Sequence, residues 1–259
     1  MRKKLILASL AVCLLLLSCL SPLFAASSLE KDIAQNAKAF SGRIGIYAKN
    51  LKNGKTYAYQ ADLVFPTAST SKLVVALAVY KYLYPVAAPD DRDLYDSEVE
   101  PMITVSDNAS FYNLLDSLAQ NRPDALGKVT SDLRLVKTRI HDDNAFRRYS
   151  YHSVTTPAEM AKVMETINAE KYLGKGKSTL LKDELANTIF HDEIPRFMLT
   201  KVMHKVGELD NILADVGIVD DGKDQILISI YTDTENSEQY ASDFIANMSA
   251  KLYNHLRRK

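Results

Sequence analysis

Ser69 and Lys72 stand three positions apart in the run Phe65-Pro66-Thr67-Ala68-Ser69-Thr70-Ser71-Lys72-Leu73. On a helix that spacing puts a hydroxyl and an amine on one face. Pro66 upstream and the apolar run Leu73-Val74-Val75-Ala76-Leu77-Ala78-Val79 downstream place Ser69 near the helix start. There the hydroxyl meets unpaired backbone N–H groups and the positive end of the helix dipole. An amine one turn away, losing its charge as it is desolvated, can take the serine's proton. The pair is a candidate nucleophile with its base. Ser-x-x-Lys also occurs in ordinary helices, so the rest of the chain must decide.

The elements that would hold this pair can be read from pattern. Leu29 to Phe40 reads as a helix and Arg43 to Ala48 as a strand, with Asn53-Gly54 turning a hairpin into Lys55 to Tyr59. From Ser69 to about Phe197 the texture is helical. Val99 to Met102 and Val129 to His141 look less regular there, and Gly174-Lys175-Gly176-Lys177 reads as a loop. Strand signals return at Lys201 to Lys205, Ile212 to Val219 and Gln225 to Thr232, the last pair joined at Asp220-Asp221-Gly222. A final helix runs from Ser237 to Leu256, apolar at Phe244, Ile245, Met248, Leu252 and Leu256. The expected fold is α+β: one antiparallel five-stranded sheet drawn from both chain ends, flanked by the terminal helices, with a helical lobe inserted. Residues 27–66 plus 200–259 would form the α/β lobe and 67–199 the helical lobe, with a ligand crevice between them.

The totals bound what such a domain can do. The 259 residues suit one domain with two lobes. Basic and acidic residues balance at 32 each, and removing Arg2, Lys3 and Lys4 leaves 29 basic against 32 acidic. A neutral to mildly acidic surface argues against nucleic acid or an acidic membrane as partner. Those three basic residues, the apolar run Leu5 to Leu17 and the small-residue end Ser21 to Ala26 read as a signal peptide over 1–26. An extracytoplasmic or secreted protein is expected. Cleavage after Ala25 or Ala26 competes with a lipobox ending at Cys19, which would leave a lipid anchor; Leu17 and Leu20 fit the lipobox poorly. Cys13 and Cys19 are the only cysteines, so a mature domain has no disulfide or cysteine-metal site.

Two further segments strengthen the first. Ser106-Asp107-Asn108 precedes the helical run Ser110 to Ala119, and Lys205-Val206-Gly207 sits on the first strand of the terminal meander. The order Ser-x-x-Lys, Ser-Asp-Asn, Lys-x-Gly closely resembles the class A β-lactamase and penicillin-binding protein family of serine hydrolases. Thr155 to Ala161 and Asp215 to Val219 are further family-like pieces, and the resemblance spans essentially the whole chain after the leader.

The resemblance implies that Ser69 attacks a lactam or peptide carbonyl to form an acyl-enzyme, with Lys72 as proton acceptor. It implies that Ser106 relays a proton to the departing nitrogen and that Asn108 binds the substrate's side-chain amide. Lys205 would add positive potential, and the N–H groups of Ser69 and Glu208 would form the oxyanion hole. The function so implied is a serine acyl-hydrolase acting on β-lactams or D-alanyl-type amides. The alternatives are a D-alanyl carboxypeptidase or endopeptidase acting on peptidoglycan stem peptides, and a non-catalytic penicillin-binding-like envelope protein. A monomer without metal or other cofactor is expected.

Three departures shape that expectation. Val206 stands where the family has threonine or serine, removing a hydroxyl that would bind the substrate carboxylate, a loss of about 1.5–3 kcal/mol. Glu208 follows Gly207 and brings a negative side chain near the position of that carboxylate. The Glu-x-x-Leu-Asn motif that activates water in true class A β-lactamases is missing between Ser106 and Pro157. Asp142, 36 residues after Ser106, is the nearest candidate for a deacylation base. Deacylation is therefore expected to be slow. The short interval from Ser69 to Ser106 suggests a more open cleft. Gly174 to Thr179 hints at a phosphate loop but lacks the first glycine at Lys171, and His191-Asp192-Glu193 reads as a solvated loop, not a metal site.

Overall fold

The computed structural model describes residues 28–258. The expected leader and Cys19 lie outside the described residues. Helix α1 (Ser28–Ala39) leads into β1 (Arg43–Asn50) and β2 (Thr56–Tyr59), and the chain returns at its end as β5 (Lys201–Leu209), β6 (Ile212–Asp220) and β7 (Gln225–Asp233), followed by α9 (Glu238–Leu256). These five strands form one antiparallel sheet in the order β2-β1-β7-β6-β5. The first and last parts of the chain meet at β1·β7, where Arg43 pairs with Asp233 and Asn50 with Ile226. Strand β5 is thus an edge, and the 3-10 turn Ala68–Thr70 and the helix Lys175–Ala186 pack against it.

Both faces of the sheet are covered, which is why the central strands read as apolar runs without alternation. On one face Ile46, Ile228, Ile230 and Val219 pack against Ile33 of α1 and Ile245, Met248 and Leu252 of α9. On the other, Val216, Ile218, Leu227 and Tyr231 meet the helical segment. That segment opens with the short strand β3 (Phe65–Pro66), a 3-10 turn over Ala68–Thr70 and α2 (Ser71–Ala78). Every residue of α2 is buried: from Leu73 on it is apolar all round, and Ser71 and Lys72 are buried polar exceptions at its start. Around it stand α3 (Pro89–Thr104), α4 (Asn108–Asn121), α5 (Ala125–Asp132) and α6 (Asp143–Tyr149). Strand β4 (Val154–Thr155), which pairs with β3, α7 (Pro157–Asn168) and α8 (Lys175–Ala186) complete the segment. Among the described residues no helix is long and apolar enough to cross a membrane.

Some sequence-based boundaries move. The stretch Val99 to Met102 is helical: Pro101 sits in the last turns of α3, and burial of Val99, Met102 and Ile103 outweighs its missing donor. Val129 lies within α5, leaving only the part after Asp132 irregular. The expected loop at Gly174 to Lys177 is a helix start. Gly174 takes φ +81 and turns the chain into α8, while Lys177 is ion-paired with Asp96 at 2.6 Å. Strand β5 also continues through Val206, Gly207 and Glu208 to Leu209.

Candidate active site

Ser69 is the middle residue of the 3-10 turn that starts α2, reached through Ala68 at φ +46. The turn is pinned from below: Thr70 Oγ1 bonds the Thr67 carbonyl (2.6 Å) and the buried Tyr231 hydroxyl (2.7 Å). One turn on, Lys72 is 2% exposed and points along the helix to Ser69, with Nζ 3.2 Å from Ser69 Oγ. The same Nζ lies 2.6 Å from the Ser106 carbonyl, 3.0 Å from Ser106 Oγ and 2.8 Å from Asn108 Oδ1.

The Ser106-Asp107-Asn108 turn joins α3 to α4 and divides its work by residue. Asp107 caps α4, accepting from the Ser110 N–H at 2.7 Å. Ser106 is left-handed, at φ +59, a conformation that costs a non-glycine residue of order 1–3 kcal/mol and gathers at functional sites. In it both the carbonyl and the hydroxyl of Ser106 reach Lys72. A turn and cap alone would not require Ser106 and Asn108 to converge on a buried amine.

From the other side comes β5. Lys205 is fully buried, with Nζ 2.9 Å from Ser106 Oγ and 3.1 Å from the Val206 carbonyl. An ordinary surface strand lysine is excluded. Gly207 allows the strand to close on Ser69's turn: a Cβ there would stand 2.9 Å from Thr67 O, 3.0 Å from Thr70 N and 3.1 Å from Ala68 Cβ. Burial lowers the Lys72 pKa to about 8, against the nearby Asp107 carboxylate. Burial, and then the charge of Lys72, lowers Lys205 to about 7. One hydroxyl, Ser106 Oγ, thus bridges two amines that lose their charge near neutral pH.

Strand alternation separates the remaining β5 residues. Val206 packs into the apolar cluster on the α9 face and brings its carbonyl to the site. Glu208 is exposed; burial and then Glu238, at the start of α9, raise its pKa. Both side chains stand on the face opposite Lys205, so the expected negative side chain beside the substrate carboxylate is instead neighbour to another acid. Asp142 caps α6, accepting from the Ala145 N–H at 2.8 Å. Among the described residues no carboxylate hydrogen-bonds Ser69 or Lys72. In the expected solvated loop at His191 to Glu193, His191 and Asp192 are exposed, but Glu193 is 6% exposed and accepts from Ser242 Oγ at 2.8 Å.

Sequence reasoning missed the aromatic neighbours of the two amines. The Phe111 ring centroid lies 5.7 Å from Lys72 Nζ and that of Phe190 5.4 Å from Lys205 Nζ. Only Phe111 carried a signal, three residues after Asn108 on one helix face. Among the described residues no group of acidic, histidine or cysteine side chains is arranged to hold a metal.

The structure is similar to several known ones. A mutant of PBP-A, described as an acyl-enzyme complex with penicillin G, aligns with TM-score 0.74 at 21% identity, covering 88% of this chain and 95% of that one. A β-lactamase from Sphaerobacter thermophilus DSM 20745 aligns at 0.73 and 16% identity over 88% and 96%. The TLA-1 extended-spectrum β-lactamase aligns at 0.75 and 17% over 88% and 98%. At such identities the likeness establishes the fold. The sequence itself matches a family described as the Beta-lactamase enzyme family over residues 28–84 and 97–256, a span that includes all three motifs, and to that family the chain belongs.

Proposed function

We propose that this chain is a serine acyl-hydrolase that forms an acyl-enzyme at Ser69 with β-lactams or D-alanyl-type amides and releases the acyl group slowly. The observation that carries this reading is the proton count at Lys72. Of the four oxygens around its Nζ, the Ser106 carbonyl and Asn108 Oδ1 can only accept. A neutral amine has two N–H groups for these two acceptors, which leaves its lone pair to the Ser69 or Ser106 hydroxyl. In acylation, Ser69 Oγ bonds to the substrate carbonyl carbon as its proton passes to Lys72 Nζ. A proton then reaches the leaving nitrogen through Ser106 Oγ as the carbon–nitrogen bond breaks. Ser69 lies early in its 3-10 turn, so its N–H has no acceptor within that turn and can serve the oxyanion with the N–H of Glu208. Lys205 contributes positive potential toward a substrate carboxylate.

Slow release is supported by the use of Asp142 as a helix cap. A catalytic base displaced by about 1 Å can lose a hundredfold in rate. The same feature favours a second reading, a penicillin-binding envelope protein that acylates without turnover. For either, the leader at 1–26 supports an extracytoplasmic location.

The test is incubation of the purified protein with a fluorescent penicillin and mass spectrometry of the Ser69 peptide. An adduct persisting for minutes is expected, and none in Ser69→Ala. Absence of adduct in the wild type at high drug concentration would refute acylation. Rapid clearance would refute slow release, and permanence would favour the second reading. Release of D-alanine from a stem pentapeptide would identify a carboxypeptidase.

A further inference from the structure

A segment outside all three motifs ties the two walls of the site together. Thr188, Ile189 and Phe190 follow α8 as an irregular strap. At its start Thr188 Oγ1 (3.0 Å) and the Ile189 N–H (3.1 Å) both donate to the carbonyl of Thr104, two residues before Ser106. At its end the Phe190 carbonyl faces Nε2 of His204 at 3.1 Å, and His204 immediately precedes Lys205 on β5. The Phe190 ring then lies over the Lys205 ammonium.

The anchor of the strap is itself charged. His204 is 1% exposed, and both ring nitrogens face acceptors: Nδ1 the Asp215 carboxylate at 2.9 Å, Nε2 the Phe190 carbonyl. A neutral imidazole has only one N–H, so satisfying both acceptors requires the imidazolium. Burial works against that charge, yet Asp215 and the Phe190 carbonyl hold the pKa of His204 above its ordinary value. Asp215 is fixed in turn by the Ile194 N–H at 3.0 Å.

We infer that Thr188–Phe190 is a positioning strap that holds Ser106 against Lys205 and, through the Phe190 ring, biases the proton shared by Lys72, Ser106 and Lys205 toward Lys205. The inference rests on the proposed chemistry at Ser69. The transfer is balanced: Lys72 Nζ gives a proton to Ser106 Oγ while the proton of that hydroxyl passes to Lys205 Nζ, leaving Lys72 with a lone pair. An aromatic face attracts an ammonium and not an amine, so the ring favours the state after transfer. It opposes the burial that draws Lys205 below Lys72. The other charges acting on Lys205 are Lys72, which disfavours its protonation, and Asp215, which favours it.

Phe190→Leu tests this without any substrate. Proton binding by the two amines is read by NMR titration of protein carrying ¹³C-labelled lysine. Loss of the ring should lower the Lys205 midpoint by about 0.4–1.5 pH units, and Phe190→Trp should restore it. Where the wild type acylates, Phe190→Leu should slow acylation at fixed pH by about two- to thirtyfold. A Lys205 midpoint unchanged in folded Phe190→Leu overturns the inference. A wild type that never acylates overturns the proposed function instead, because the titration does not depend on it.

Discussion

Replacing Lys205 by methionine should abolish acylation and yet make the protein more stable at neutral pH. The side chain is fully buried, and its pKa falls from 10.5 to about 7 in the folded chain. A lysine whose pKa is depressed by folding holds fewer protons than in the unfolded chain. It therefore destabilises the fold below the unfolded value, and the penalty fades as pH rises from about 7 toward 10.5. At about 1.4 kcal/mol per unit, the penalty at pH 7 is about 4 kcal/mol, shrinking to about 2 kcal/mol at pH 9. Methionine gives up the bonds to Ser106 Oγ and the Val206 carbonyl, about 1 kcal/mol each, and fills much of the same space. The variant should thus gain about 1–3 kcal/mol at pH 7, an advantage that nearly vanishes by pH 9. Urea melts of both proteins at pH 7, 8 and 9 measure it. Glu184 and Glu193, whose pKa values burial raises to about 8 and about 7, titrate in both and cancel from the difference. Lys72, at about 8 and interacting with Lys205, makes that difference a property of the amine pair. A variant no more stable than wild type at pH 7, or an advantage indifferent to pH, would refute the claim that burial discharges this lysine.

Two smaller perturbations probe how the site is held. Gly207→Ala puts a methyl 2.9 Å from Thr67 O and 3.0 Å from Thr70 N, so β5 must retreat by a few tenths of an ångström from the turn that carries Ser69. A stability loss of about 1–3 kcal/mol and acylation slowed by about tenfold are expected; melting and acylation both unchanged would show that the strand is not in close contact. Asp142→Ala removes the cap of α6 and should cost about 1 kcal/mol in a denaturant melt while leaving the adduct lifetime as it was. A lifetime extended about tenfold would make Asp142 a participant in deacylation.

The elements most easily read were those whose pattern is local. The Asn53-Gly54 turn, the apolar runs of the terminal meander and the helix behind Ser69 each announce themselves within a few residues. Pro101 and Gly174 misled for one reason: their intrinsic preferences are those of breaks, and tertiary burial or a helix start overrode them. His204 and Phe190 were illegible for a different reason. A lone histidine or phenylalanine has no pattern of its own, and the partners that define these two are Asp215 on the next strand and a lysine 15 residues further along.

Val206 and Glu208 are the instructive case, because the rule that places them was available in the sequence. Side chains alternate along a strand, so any strand that carries Lys205 toward Ser69 must carry residues 206 and 208 away from it. A strand ending at Lys205 conceals this; one continued to Leu209 makes it unavoidable. A motif treats Lys-Val-Gly as three side chains in one pocket, whereas the pleat assigns the site one side chain, one carbonyl and one missing Cβ. What Val206 offers the site is its backbone oxygen, which accepts from Lys205 Nζ at 3.1 Å, while its side chain packs with the apolar cluster on the α9 face.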